Sequence, residues 1–444
     1  MAEQRGDERE TAASDEVAGP RAPRRVRRAR ERQRRKAARA LAGAAAAGAA
    51  LAAPAAALTF TVSNLNDGPV AAAGDQPGTL RQAIFDANAL AGADAIDFQA
   101  GLTGTILLTD GQLSITDSLD IQGPGLASAT PITVNANTSS RVFYLYNPAA
   151  LLDVRIHGIT ITNGGATNGG GIIDFGENLI LDNVAVTGNA VTGDGGGLWF
   201  DATGPPFEGQ LTISDSVISG NTADSSGAGI YVEDTGGPVL IQNSDINGNF
   251  AGGSGGGIYL YDPDADVTIE DSTISGNGAG AIGGGVYLYS MDAGNLTIER
   301  TTVSGNTATL GGGLGVYSVD QPTLIQNSTI SGNQAVGLGG GIAVYYAYYG
   351  DLAIRHTTIA ANSAGVNGGG VSLYLGEATI ANSIVGDNTA AADPDLATND
   401  ATFNLSFSLV ETPGGAGIND NGGNVFSQDP QLGPLANNGG PTQT

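Results

Sequence analysis

A glycine-rich run leading into a short apolar segment recurs with a period near 28 residues, and no other feature restricts the fold as tightly. The runs end at Gly171, Gly197, Gly229, Gly257, Gly285, Gly313, Gly341 and Gly370, in steps of 26, 32, 28, 28, 28, 28 and 29. A second landmark, usually Ser/Thr-Gly-Asn, recurs at Asn189, Asn221, Asn249, Asn277, Asn306, Asn333, Asn362 and Asn388. Repeats of this length predict a solenoid, in which each unit buries its face only against its neighbours.

The columns of the repeat say which solenoid. One residue after the glycine run stand Ile172, Leu198, Ile230, Ile258, Val286, Leu314, Ile342 and Val371, and three after it Phe200, Val232, Leu260, Leu288, Val316, Val344 and Leu373. That alternation predicts a strand with those residues inward. Isoleucine or leucine also stands eight residues before the landmark asparagine (Ile269, Ile298), and isoleucine or valine three before it (Ile274, Val303). Positions five apart cannot share one face of a straight strand, so a bend lies between them. Polar pairs such as Asp215-Ser216, Asn243-Ser244, Asp271-Ser272 and His356-Thr357 occupy that corner, and such side chains satisfy backbone groups at turns. The unit then has three short strands and three turns. The predicted fold class is all-β: a parallel β-helix, like residues stacked about 4.8 Å apart, with a short N-terminal capping helix, and the resemblance given below implies the right-handed form.

The ends differ from the repeat. Residues 1–57 read as a signal peptide or leader, with Arg24-Arg25-Val26-Arg27-Arg28 before an alanine-rich stretch that closes at Pro54-Ala55-Ala56-Ala57. A basic region, a short apolar region and a small-residue site predict export, with the twin-arginine route left open. Residues 58–125 are expected to hold the cap and first irregular coils. Its helix is Thr79–Asn88, capped by Thr79, with Leu80, Ala83, Ile84 and Ala87 as one apolar stripe. Residues 126–392 are expected to be the β-helix repeats, and 393–444 an irregular tail able to fold back over the coils.

The Gly-Gly-Gly-Ile and Ser-Gly-Asn alternation resembles exported bacterial right-handed β-helix repeat proteins, and distantly the repeats of polymorphic outer-membrane proteins. Leu80-Arg81-Gln82-Ala83-Ile84 is similar to a segment that opens many such proteins. Asp429-Pro430-Gln431-Leu432-Gly433-Pro434-Leu435 with Asn438-Gly439-Gly440-Pro441-Thr442 resembles their choice-of-anchor segment. The resemblance implies architecture and an extracellular or cell-surface location. Relatives usually continue past this motif, which implies a truncated anchor-type segment here.

Charge excludes much chemistry. Of 18 Lys+Arg and 44 Asp+Glu, residues 1–57 hold 13 and 7, so residues 58–444 hold 18 − 13 = 5 cations and 44 − 7 = 37 acids. Those five are Arg81, Arg141, Arg155, Arg300 and Arg355; lysine is absent there, and cysteine from the whole chain. Such a body repels nucleic acid, lacks a phosphate-loop or Schiff-base lysine, and has no thiol chemistry or disulfide. Gly252–Gly256 fits G-x-S-x-G and Gly278–Gly283 fits G-x-G-x-x-G, but both lie in glycine runs that lead into strands rather than helices. His157 and His356 stand about seven coils apart and read as ladder or turn residues, so no catalytic residue is assigned.

Two constellations remain. An acid recurs after the glycine strand at Asp201, Asp234, Asp262, Asp292, Asp320 and Asp351. Within it, Asp262, Asp264 and Asp266 alternate in a way suited to Ca²⁺, although a solvated acidic rim is the plainer reading and no other cofactor is expected. The sharper candidate is aromatic. Trp199, Tyr231, Tyr259 and Tyr287 stand two residues after the glycine run, and Tyr261, Tyr289, Tyr317, Tyr345 and Tyr374 four after it. Both columns alternate with the inward residues, so they should point outward as exposed rings on which sugars stack or another protein docks. A ladder that merely stabilises the sheet is the competing reading. The functional expectation is a monomeric, non-catalytic, adhesin-like rod with no transmembrane span once the leader is removed, its tyrosine face binding glycan or another surface. A polysaccharide lyase or glycoside hydrolase is the alternative.

Overall fold

The computed structural model describes residues 57–129, 131–202, 209–291, 293–319 and 321–444, with backbone only for 348–351. The leader expected at 1–57 falls, save for its last residue, outside the described residues, as do Asp292 and Asp320. The side chain of Asp351 does too. The rest is a parallel β-helix with three parallel sheets. One coil illustrates them all. Ile258–Tyr261 and Val267–Glu270 run in the first wall, Thr273–Ser275 in the second, and Gly278–Ala279 in a narrow third. The unit thus has four strands where the columns predict three. The extra one is two residues long, too short for alternation to show. In later coils the two strands of the first wall merge into Ile342–Arg355 and Val371–Ala381.

Register is like on like: Ile258 pairs with Val286, Leu260 with Leu288, Ile269 with Ile298 and Ile274 with Val303. All four apolar columns point inward and are essentially sealed from solvent. At about 25 cal/mol per Å² of apolar surface buried, this continuous core is the main favourable term. The corner between the first and second walls is sharp because Asn183, Asp215, Asn243, Asp271, Asn327 and Asn382 sit at φ between 48° and 52°, a left-handed geometry that Asn and Asp tolerate best. The next residue turns its hydroxyl inward. Ser244 Oγ donates to Gln242 O (2.7 Å) and accepts from Ser216 N (3.1 Å) one coil earlier.

The landmark asparagines form a second internal ladder. Asn249 Nδ2 donates to Asn277 Oδ1 (2.9 Å) and to Ile218 O (3.0 Å), while Asn249 N donates to the same Asn277 Oδ1 (3.0 Å). This pattern repeats from Asn189 to Asn388, every member buried, and it leaves few polar groups unsatisfied in the interior. The glycines follow from coil-on-coil packing. A Cβ on Gly257 would stand 2.5 Å from Gly285 O, and Gly255 has φ +67° with Tyr259 Cβ 2.7 Å from any added Cβ.

The helix Leu80–Asn88 lies over Thr59–Val62, Asp94–Phe98 and Leu113–Ile115, burying Leu80, Ala83, Ile84 and Ala87. Thr79 caps it through Gln82 N (3.2 Å). Arg81 ties it down through a forked pair with Asp67 (2.7 and 3.0 Å) and two carbonyl contacts.

Strand pairing stops neither at residue 125 nor at 392. Leu119–Gln122 pairs with Val154–His157, and Val371–Ala381 with Ala401–Ser406, whose partner is Ile418–Asp420. Val425–Phe426 still joins the second wall, so the tail expected from 393 is coil as far as Phe426. The glycine run is lost there, yet the inward residues Leu396, Phe403, Leu405 and Val410 keep the core continuous. The last residues turn back onto the second wall, where Thr442 Oγ1 donates to Arg300 O (3.2 Å) and Thr302 Oγ1 to Gln443 O. Among the described residues, no helix is long and apolar enough to cross a membrane.

Candidate functional site

Alternation on the first wall turns both aromatic columns away from the core, as expected, but the two differ in what covers them. Tyr231, Tyr259 and Tyr287 are only 7%, 9% and 5% exposed. The expectation that this column forms exposed rings is therefore corrected. The glycine turn tucks against the base of each ring, and the outer column lies against it, so Tyr261, Tyr289 and Tyr317 pack on the same cluster. Tyr231 and Tyr259 stack at 4.9 Å and 3°. Burial, with the nearby Glu233 for Tyr231 and Tyr287 for Tyr259, pushes both phenols far above their usual pKa, so they stay protonated.

The outer column is half-buried and ends on an exposed ring. Tyr261 to Tyr289 is 5.0 Å at 13°, Tyr289 to Tyr317 is 5.1 Å at 1°, and then the stack opens. Tyr317 to Tyr345 is 6.0 Å at 36°, and Tyr345 to Tyr374 is 5.9 Å at 42°, with Tyr374 41% exposed. The geometry revises the picture of a flat file. Both faces of Tyr289 are covered by its neighbours, so the stacked section offers ring edges. Among the described residues of this row, the exposed ring stands where the stack splays, at Tyr374. Burial, then the neighbouring Tyr346, raises the Tyr345 phenol pKa, so that ring too stays protonated.

Trp199 pairs in register with Tyr231 and packs at the N-terminal end of the tyrosine cluster. It is half-buried, meets Phe175 edge-on at 5.5 Å and 89°, and its Nε1 has no hydrogen-bond partner among the described residues. Phe175 in turn contacts Tyr144 and Tyr146, each at 5.5 Å, and Arg141 lies 5.7 Å from the Tyr144 ring centre. These four residues were missed. Phe175 is four residues after Gly171 and continues the outer column, a signal hidden because the same coil has Ile173 in place of an inner aromatic. Tyr346 was missed as well, and meets Tyr317 edge-on at 5.3 Å.

The candidate calcium ligands are not brought to one point. Asp262 is buried in a left-handed turn (φ 46°). Asp264 is half-buried and donates its N–H to Thr235 O (2.8 Å), whereas Asp266 is exposed and accepts from Asn295 N (2.8 Å). Among the described residues, the acids whose oxygens do converge, within 4.8 Å, are Asp387, Glu411 and Asp429. Of these Asp387 and Asp429 are exposed. Elsewhere Asp174 replaces an apolar residue in a core column. It is fully buried, accepts from Glu177 N (2.7 Å), and burial holds its carboxyl protonated well above the usual range. Glu177 fastens the loop between Asn147 N (2.8 Å) and Leu152 N (2.7 Å). Both acids are sealed, which makes them structural.

The two histidines occupy different settings. His356 is an exposed corner residue at φ 50°. His157 instead belongs to a polar group. Its Nδ1 lies 3.2 Å from Asp182 Oδ2, an oxygen that also receives Arg155 Nη2 at 2.6 Å. Partial burial opposes ionisation of Asp182, but the bonds from Arg155, Ser214 and His157 outweigh it and hold the carboxyl below its ordinary pKa.

A family model described as "Right handed beta helix region" matches residues 133–262 and 250–424. No curated protein matches the chain. Among solved structures, the chain is similar to one titled as a mannuronic acid specific polysaccharide family 6 lyase enzyme from human gut microbiota. Identity is 14% and the TM-score 0.33, over 84% of this chain and 92% of that one. A likeness that loose has no bearing on activity.

Proposed function

The chain belongs to the right-handed β-helix family, and on that scaffold we propose a non-catalytic, adhesin-like rod, exported to the cell surface or beyond. Its outer tyrosine row binds glycan or another surface. The observation that carries this reading is the splayed end of the row: Tyr374 keeps 41% of its surface in solvent, while the last residues dock on the second wall instead. An uncharged ring face beside a row of phenol edges suits a sugar, whose C–H face stacks while its hydroxyls find polar rims. The arginine-rich leader supports export, and the strongly acidic, lysine-free body fits a rod that stays soluble without grasping nucleic acid.

The test is a glycan array probed with the chain and with Tyr374→Ala. The reading expects binding without turnover, weakened about tenfold by that change, as for removal of one well-packed aromatic contact. Unchanged binding by the variant would refute the tyrosine row as the site. New reducing ends or unsaturated products would instead indicate a polysaccharide lyase or glycoside hydrolase.

A further inference from the structure

We infer that a cleft over the first coils, bordered by Asp97, Gln122, Arg155 and His157, binds a neutral sugar, independently of the tyrosine row. Three coils place polar side chains at the cleft in one file, which Asp182 continues on the next coil. Asp97 pairs in register with Gln122, Gln122 with His157, and His157 with Asp182. Two residues back on the same strands, Asp120 pairs with Arg155. Val154 and Ile156 fill the inward positions, so Arg155 and His157 both face out. The loop Gln99–Leu102 and the turn at Gly123 and Pro124 add walls, and the space they bound is about 480 Å³, within the range of small-molecule sites.

The side chains are held before any ligand arrives. Gln122 Nε2 donates to Asp120 Oδ2 (2.7 Å), and Asp182 Oδ1 takes the Ser214 hydroxyl (3.2 Å). Asp182 Oδ2 holds both Arg155 and His157 Nδ1, which leaves Nε2 as the second polar atom of the imidazole. Such fixed donors and acceptors lower the ordering cost of binding.

Charge selects the ligand class. Asp97, Asp120 and Asp182 outnumber Arg155, whose guanidinium is already engaged by Asp182, so phosphates, sulfates and uronates are repelled. Vicinal sugar hydroxyls donate and accept together, which suits carboxylates mixed with guanidinium, amide and imidazole. Asp97 Oδ1 and Asp120 Oδ1 are also shielded and lack a partner among the described residues.

Calorimetric titration of the whole chain with the methyl glycosides of glucose, galactose, mannose and xylose, and with glucuronate, tests this. At least one neutral glycoside should bind and glucuronate should not. Gln122→Ala, a mild change at an exposed residue, and His157→Gln should each weaken binding about tenfold, while Tyr374→Ala should leave it unchanged. Absence of binding by every neutral glycoside, or preference for glucuronate, overturns the inference. Loss in Tyr374→Ala with retention in Gln122→Ala and His157→Gln overturns it too, and leaves the tyrosine reading standing.

Discussion

Replacing Asn277 by alanine attacks the interior where it is most regular. Asn277 Oδ1 accepts from Asn249 N (3.0 Å) and Asn249 Nδ2 (2.9 Å), and its Nδ2 donates to Ile246 O (2.9 Å) and Asn306 Oδ1 (3.0 Å). Two neighbours keep another bond after the change: Asn249 Nδ2 still reaches Ile218 O, and Asn306 Oδ1 still receives Asn277 N. One is left without a partner in a sealed interior, the Asn249 N–H, while the Ile246 carbonyl keeps its place in the parallel ladder with the next coil. At about 1–3 kcal/mol for a buried unsatisfied group, the loss is about 1–3 kcal/mol. Coils contact only their neighbours, so the damage should be local before it is global. Hydrogen exchange read at the Asn249 amide should therefore accelerate at least about fivefold, equivalent to about 1 kcal/mol. The denaturation midpoint should also fall. Ser275→Ala on the half-buried second wall is the control and should change little. Exchange at Asn249 that stays within about twofold of the parent would refute the ladder as a structural spine.

Two further outcomes follow from burial. Tyr259→Ala should cost about 3 kcal/mol in urea unfolding because the ring is enclosed, whereas Tyr374→Ala should cost under about 1 kcal/mol; equal costs would contradict the difference between the two columns. Asp395 occupies the ladder position beyond Asn388, accepting from Asn388 Nδ2 (2.9 Å) and Thr412 N (2.6 Å), and burial pushes its pKa up to about 6 against these bonds. Its unfolded value is about 3.9. A raised folded pKa gives a contribution that is complete below pH ~4 and lost as pH rises through ~6, about 1–3 kcal/mol in all. Asp395→Asn should remove that part of the melting-temperature slope between pH ~4 and ~6 whatever it does to the baseline; an unchanged slope would assign the slope to other groups.

Much of the fold was legible because the repeat is its own alignment. Stacked columns gave the inward Ile258, Leu260, Ile269 and Ile274 and the corner at Asp271-Ser272, and Thr79 with its apolar stripe gave the cap. The aromatic rows were legible in direction only. Alternation says that Tyr259 points away from the core, but not that the turn at Gly255 and the ring of Tyr261 close over it. Nor does it say that Tyr289 spends both faces on its neighbours. Such facts depend on what lies across the coil, which strand periodicity does not encode. Asn277 was visible as a landmark, while its inward amide was not, since an asparagine beside glycine reads equally well as a surface turn. Arg155 and His157 went unpaired with Asp182 because they lie in the first, irregular coils, where no glycine run sets the register. The coil from Leu396 to Phe426 was read as tail for the same reason.

Hydroxyl-radical footprinting of the tyrosines, resolved by peptide mass spectrometry, tests most directly the claim that place in the coil fixes what a residue faces. Tyr374 should label fastest, Tyr261, Tyr289, Tyr317 and Tyr345 at intermediate rates, and Tyr231, Tyr259 and Tyr287 slowest, although Tyr259 and Tyr261 are only two residues apart. Comparable labelling of Tyr259 and Tyr261, or faster labelling of Tyr287 than Tyr374, would contradict the stacked-coil account.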